Sequence, residues 1–494
     1  MVENIRHQSV MFRNIIHLVA LALAFMINLF CIDAAAQSAV DVKIKVDNYF
    51  NQPIVLGYYY DQKTLVRDTI QTDDKGVAHY QRNELLPEGI YMVYFPDRAY
   101  FDIMIGSDQT FELSCDTLPD MLTRVKVKNC PMLSEFIAYQ NYLNDKQRVF
   151  HDLNEQYKQT PESQLEARAA LRNKFSEIDA EIKARNEEII NNNKDNFLSV
   201  FLTALKDVKI PDFQAETEEV LPDSTIQRKR YDYYRAHWDE NYNFADDRLL
   251  RTPFFIKKVD DFFEKTLLQV PDTVANEAIR VIEKARPSAE AFRYFVSHLY
   301  NMTNNSKIMG MDAALCKLAE RYYLSGEATW VDEKFISDLR EQVDGIKYTL
   351  IGQIAKDLNM ISVTDEWFKL SEVDAPYTIL IFWEPSCGHC KKEIPEFKKK
   401  VWDRFADKGI KVYAVYCQVE RKEWEEFITD HQLEEWMNVY DPYGRSGYRQ
   451  YYHIKSTPQF FILDKNKKII GKRIGVEQIA DMLDYLFTHP DVKL

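Results

Sequence analysis

A chain of 494 residues exceeds what one hydrophobic core organises, so two to four domains are expected. Its 46% hydrophobic and 28% charged residues, with 29 Tyr and 29 Phe, exclude a mainly disordered chain. The formal net charge of −14, with no basic stripe carrying interleaved aromatics, argues against nucleic acid as a partner and leaves solubility as the plain meaning of the acidity.

The first element is apolar. Arg6 and Arg13 precede a run from Ile15 to Ile32 that ends on Ala34-Ala35-Ala36, which is the order of a secretory signal. Residues 1–36 are expected to be that signal, leaving a chain from about Gln37. An uncleaved anchor is the alternative, because the run approaches the length of a membrane span. His17 and Asn28 weaken that alternative, and bulky Phe30 before Cys31 disfavours lipid attachment. Each reading places the remainder in the periplasm or cell envelope, with membrane association through the N-terminus left open. No later stretch is apolar for the length of a span.

Residues 38–127 alternate and turn often: "VDVKIKV", "PIVLGYYY", "GVAHYQ", "GIYMVYF", "YFDIMIG" and "TFELSC", with "TDDKG" and "LPEG" between them. This predicts short antiparallel strands in a β-sandwich. Through "LVRDTIQTDDKGVAHYQ" and "LPEGIYMVYF" the segment resembles a small β-domain of unknown function that precedes thioredoxin-like domains in many envelope proteins.

The period becomes helical over 131–347. Thr160-Pro161 reads as a helix start, followed by a stripe of Leu171, Phe175, Ile178, Ile182 and Ile189. Further helices are expected in "TPFFIKKVDDFFEKTLL", "ANEAIRVIEKA", "SAEAFRYFVSHLY" and "FISDLREQVDG". This α-helical domain resembles a second uncharacterised module found before thioredoxin domains, through "DDRLLRTPFF" and "SKIMGMDAALCKLAERYY". The aromatics of "YDYYRAHWDENYNF" suit helix junctions more than a ligand platform.

Residues 348–494 alternate strand and helix: "YTILIFW" as a buried strand, "CGHCKKEIPEFKKKVWDRFA" as a helix, "IKVYAVYC", then "EWEEFITDH", a hairpin of "QFFILD" and "KKIIGKRI", and the helix "EQIADMLDYLFTH". Cys387 and Cys390 stand where the strand passes into the helix. There, unpaired amides and the helix dipole favour a thiolate at Cys387.

Six cysteines remain beyond Cys31, few for a disulfide scaffold. Cys115 and Cys130 suit either a short bridge or separate thiols. Cys316 and Cys417 read as buried packing thiols. Zinc needs four ligands and no second cluster supplies them, so no metal is expected. Covalent haem needs a histidine after the second cysteine, where Lys391 stands, and no cofactor is expected. A permanent disulfide of this spacing is the remaining alternative.

The order of elements, Trp383 four residues before Cys387, Pro395 five after Cys390, and Thr457-Pro458 before "QFFILD" together resemble the thioredoxin fold, and within it the TlpA/ResA-type exported thiol-disulfide oxidoreductases. The resemblance implies a cis-proline at Pro458 and Thr457 backbone pairing with a substrate polypeptide. Trp383, Gly388 and His389 are the other residues it places at the substrate. Glu393, one helical turn after Cys390, matches a carboxylate of this type and is the candidate proton carrier for the resolving thiol, against a solvated helix glutamate. Ile381 departs from the pattern, since thioredoxins carry a buried aspartate there.

The expected chemistry is attack by Cys387 on a substrate disulfide and resolution by Cys390. The expected partners are disulfide-containing envelope proteins and a membrane electron donor or other thiol partner. "CGHC" matches protein disulfide isomerases, whereas the surroundings point to a protein-disulfide reductase. A disulfide oxidase or isomerase, or a binding scaffold with an accessory redox domain, remain alternatives.

Overall fold

The computed structural model describes residues 39–96, 99–117, 120–194, 196–215 and 220–490; the expected signal and Cys31 lie outside the described residues. The chain forms two compact units, one of residues up to Tyr242 with Asp247–Asp260, the other of Asn243–Asp246 with residues from Asp261 onward. The helical stretch 131–347 is therefore shared between them.

In the first unit, two four-stranded sheets share one core. Strands β1 (Val40–Val46), β4 (Val77–Arg82), β7 (Thr110–Cys115) and β8 (Lys126–Lys128) form one sheet in the order β4-β1-β7-β8. Strands β2 (Pro53–Tyr60), β3 (Lys63–Gln71), β5 (Gly89–Tyr94) and β6 (Tyr100–Ile105) form the other, β3-β2-β5-β6. Alternation sets the faces: Val40, Val42, Ile44 and Val46 point inward and meet Leu56, Val93 and Ile103.

Antiparallel pairing was expected throughout, but β1 and β7 run parallel. The long passage of the chain through the other sheet supplies the crossover that a parallel pair requires. Strand β3 escapes the sequence pattern because it is an edge strand exposed on most of its length, with only Ile70 buried.

Helix α1 (Pro131–Gln159) closes on this core through Leu133, Phe136, Ile137 and Tyr139. Thr160-Pro161 was expected to begin a helix; it ends α1 instead. The Thr160 hydroxyl donates to the Gln156 carbonyl at 2.7 Å, and a residue before proline is steered out of helical geometry. Helix α2 (Leu165–Asn192) starts four residues later and buries Leu171, Ile178 and Ile189. Helices α3 (Phe197–Leu205) and α4 (Asp223–His237) follow. The aromatics after 231 pack on one another: Tyr233 stacks on His237 at 4.0 Å and Trp238, 2% exposed, meets Tyr242 edge-on. Cys115 and Cys130 are free thiols, both buried.

Helix α5 spans Phe255–Asp261. In the second unit, helices α6 (Pro271–Ala285), α7 (Ala289–Asn305), α8 (Asp312–Leu318) and α9 (Glu333–Lys347) precede a seven-stranded sheet. Ser288 and Asp332 cap α7 and α9 by accepting from the amides of Ala291 and Phe335. The sheet comprises β9 (Asn359–Ser362), β10 (Trp367–Lys369), β11 (Tyr377–Trp383), β12 (Lys411–Tyr416), β13 (Met437–Tyr440), β14 (Gln459–Asp464) and β15 (Ile469–Lys472), ordered β10-β9-β13-β12-β11-β14-β15.

Central β11 is apolar on both faces. Ile379, Ile381 and Trp383 face one core with Cys390, Ile394 and Phe397 of helix α10 (Gly388–Phe397), while Leu380 and Phe382 face the other with Tyr413, Val415 and Phe461. Helices α11 (Arg421–Asp430) and α12 (Val476–Thr488) complete the first face. Pro395 lies inside α10, and the next turn, Lys398–Trp402, is π-helical.

Candidate functional site

Neighbouring strands build the site. β11 runs parallel to β12 and antiparallel to β14, with Trp383 opposite Tyr416 and Phe382 opposite Gln459. The end of β11, the end of β12 and the loop entering β14 therefore meet at one end of the sheet's central strands. Beyond Trp383 the chain turns through Glu384-Pro385-Ser386, and the Cys387 amide donates back to the Glu384 carbonyl at 3.3 Å. Cys387 is the N-cap of α10, and its carbonyl accepts the Lys391 amide at 3.0 Å.

Across this turn lies the loop before β14. The Thr457–Pro458 peptide is cis. The Cys387 thiol donates to the Thr457 carbonyl at 3.2 Å, and the Thr457 hydroxyl donates to Glu384 Oε1 at 2.5 Å. On the third side, Gln418 donates to the Ser386 hydroxyl at 2.6 Å and the Cys417 amide to the Trp383 carbonyl at 2.9 Å.

The two sulfurs differ in exposure and in proton affinity. Cys387 is partly exposed; burial raises its pKa, but hydrogen bonds with the amides of Cys390 and His389 and with the side chains of Thr457 and Cys390 outweigh that, and the thiol lies below its ordinary value. The bond to the Thr457 carbonyl serves only the protonated form, so ionisation exchanges it for the amide donors. Cys390 is fully buried, and burial pushes its pKa up to about 12. An accessible nucleophile thus stands beside a protected thiol, both free.

The structure brings Cys387, Cys390, Thr457 and Pro458 together. Gly388 and His389 are exposed on the first turn of α10, with open space where a Cβ on Gly388 would project. The His389 amide, rather than its ring, is the part engaged with Cys387. Trp383, expected at the wall of the site, has no exposed area; its ring lies beneath, against Phe427 at 4.8 Å and Tyr416 at 6.4 Å. Glu393 is half-buried on α10, and among the described residues no hydrogen bond links it to either sulfur. Ile381 is wholly buried. Cys316 and Cys417 are buried thiols raised by burial to about 12.

Glu384 was not anticipated. Its signal was a carboxylate on the turn between the buried strand and Cys387. Its partner, 73 residues away, is set by the β11/β14 pairing. Among the described residues no group of three or more His, Cys, Asp and Glu side chains is placed to hold a metal. No helix among them is long and apolar enough to cross a membrane.

Residues 351–472 match the AhpC/TSA family. Among solved structures, a domain of a possible thiol-disulfide isomerase from Cytophaga hutchinsonii ATCC 33406 is 38% identical over 29% of this chain and 97% of its own, with a TM-score of 0.28. A thioredoxin-like protein from Bacteroides caccae ATCC 43185 is 21% identical over 57% of this chain and 100% of its own, TM-score 0.44. A thiol:disulfide interchange protein from Bacteroides sp. is 21% identical over 28% and 92%, TM-score 0.27. No curated protein matches the chain.

Proposed function

The C-terminal part of this chain is a thioredoxin-like domain of the AhpC/TSA family, and from that premise we propose that the protein is an exported protein-disulfide reductase. One observation carries the reading: an accessible Cys387 with lowered pKa at a helix start, against the Thr457 carbonyl, with buried Cys390 one turn on. The Cys387 thiolate attacks a substrate disulfide and forms a mixed disulfide. Cys390 then attacks Cys387, the substrate leaves as a dithiol, and the pair is left oxidised. A thiol partner, such as a membrane electron donor, returns the electron pair. Pro458 and the Thr457 backbone line the approach of the substrate polypeptide, and the substrates are disulfide-containing envelope proteins.

The reduction potential of the Cys387/Cys390 pair tests the direction. A value near about −270 mV, the thioredoxin range, supports the reductase. One between about −180 and −120 mV transfers the protein to isomerase or oxidase work, for which an imidazole at 389 stabilising the thiolate would be the cause. Export is tested by N-terminal sequencing of envelope material: a start near Gln37 supports it, and an intact Met1 chain in the cytosol overturns it.

A further inference from the structure

Which disulfides reach Cys387 depends on the surface around it. Strands β11, β12 and β13 run parallel, so their C-terminal ends lie at one end of the sheet, where antiparallel β14 begins. Strand β15 finishes there too, since Lys472 stands opposite Phe461 and the Arg473 amide donates to the Phe460 carbonyl at 3.0 Å. The segments gathered at the Cys387 end are therefore 417–420 after β12, 441–449 after β13, 453–458 before β14, and Arg473.

Four cations stand exposed on these segments: Arg445, Arg449, Lys455 and Arg473. Among the described residues none of them pairs with a carboxylate, whereas Lys398, Lys400 and Arg404, farther along the chain from Cys387, each do. Arg449 donates to the Cys417 carbonyl at 2.6 Å, and Lys455 is two residues from Thr457, so the charges reach the site from two sides. Arg445 lies over the Tyr443 ring at 5.3 Å.

The acids of this end are mostly engaged. Asp441 accepts from the amides of Arg445 and Ser446 and from the Ser446 hydroxyl, and Glu384 accepts from the Thr457 hydroxyl. Glu420 is the exposed acid of these segments. The resulting field is felt at His453, where burial first, and then Lys455, Arg473 and Lys472, push the pKa down to about 4. Two apolar side chains lie among the cations: Val419 is 77% exposed and Tyr443 63%. Val419 follows Gln418, which donates to the Ser386 hydroxyl beside Cys387.

We infer that this face takes up polypeptide segments that carry acidic residues beside their disulfide cysteine. The inference rests on the oxidoreductase reading above and names the chemistry of the partner. Its sign is informative, because the whole chain carries a net charge of −14 and its long-range field favours basic partners. A preference for acids must come from charges close to the reacting sulfur. Screening over about 8 Å at physiological salt confines the effect to such neighbours.

The test uses the full reduced chain and three short peptides that differ only beside a single cysteine, with two Glu, two Gln or two Lys, each presented as its 2-pyridyl disulfide. The Cys387 thiolate attacks the peptide sulfur and bonds to it. The bond to the pyridyl sulfur breaks, and the electron pair leaves on pyridine-2-thione, whose absorbance gives the rate. Each rate is divided by that of the same peptide with 2-mercaptoethanol, which removes the peptide's own reactivity. At about 0.02 M salt the Glu peptide is expected to react about tenfold faster than the Lys peptide, and at about 0.5 M the two should agree within about twofold. In the double variant Arg445→Glu, Lys455→Glu the preference should reverse. A Lys peptide as fast as the Glu peptide on wild-type protein at low salt overturns the inference, and so does a Glu preference that survives in the double variant. If no peptide releases thione faster with wild-type protein than with Cys387→Ser, the oxidoreductase reading falls instead, so the two failures are distinct. Should the double variant not fold, Lys455→Gln decides: the Glu-to-Lys ratio is expected to drop about twofold, and an unchanged ratio overturns the inference.

Discussion

The Cys387 sulfur and the Thr457 carbonyl oxygen, 70 residues apart, lie 3.2 Å from one another. The pairing of β11 with β14 places them there, because Phe382 is opposite Gln459 and each strand needs only a short extension to reach the other's end. The nucleophile's sulfur is thereby held against a backbone carbonyl of the loop that enters β14. Sheet register thus becomes reaction geometry.

The asymmetry of the two thiols should appear in their chemistry. Cys387 should be alkylated by iodoacetamide with an apparent pKa below that of a free cysteine, about 8.5, whereas Cys390 should resist modification in the folded protein. Alkylation rate against pH, read by mass spectrometry, measures both. Equal rates at neutral pH would remove the assigned roles.

Single-cysteine variants should separate attack from release. Cys390→Ser is expected to accumulate mixed disulfides with envelope proteins, because the covalent intermediate forms and is stranded; Cys387→Ser should trap none. Pro458→Thr should lengthen the life of such complexes by altering the surface beside the sulfur. Non-reducing gels with mass-spectrometric identification of the bands provide the readout. Equal trapping by both cysteine variants, or by neither, favours the scaffold alternative.

Where a segment's own periodicity decided its structure, the sequence was legible. The extents Val40–Val46, Pro53–Tyr60, Tyr377–Trp383 and Gln459–Asp464 coincide with the alternating or continuous apolar runs that announced them. Strand β3 was hidden because exposure removes alternation, and β13, four residues long, offered no period at all. Thr160-Pro161 misled because a polar residue before proline serves the end of one helix as readily as the start of another. The cysteine spacing displayed the nucleophile and its partner. The Glu384–Thr457 contact could not be read because it depends on which strands become neighbours.

Asp102 makes stability in the first unit depend on pH. Burial pushes its pKa up to about 6, although the Tyr59 hydroxyl donates to it at 3.2 Å. In the unfolded chain the group titrates near 3.8, so between those values the folded state binds the extra proton. Stability from this residue is therefore present at low pH and lost as pH rises through the folded value. Asp102→Asn keeps an acceptor for Tyr59 and removes the titration. The variant should gain on wild type by about 2 kcal/mol on going from pH 4 to pH 7. Urea denaturation of both proteins at the two pH values measures it, and a difference independent of pH refutes the assignment.

Lys472 supplies the corresponding test in the second unit. Its ammonium ends β15, is 2% exposed, and pairs with the Asp312 carboxylate at the start of α8, which is 15% exposed. Burial lowers the lysine's pKa while Asp312 opposes that shift, so the pair tethers helix to sheet at a desolvation cost on both sides. Removing one partner leaves a charge in the interior with nothing to offset it. Lys472→Met and Asp312→Leu are each expected to cost about 3–5 kcal/mol, whereas the double substitution, which removes both charges and fills the space, should fall much closer to wild type. Hydrogen exchange of the β14 and β15 amides in each variant reports on this part of the chain without assuming that both units unfold together. If the double variant loses as much protection as the two single losses combined, the residues act independently and the ion pair is not what holds α8 to the sheet.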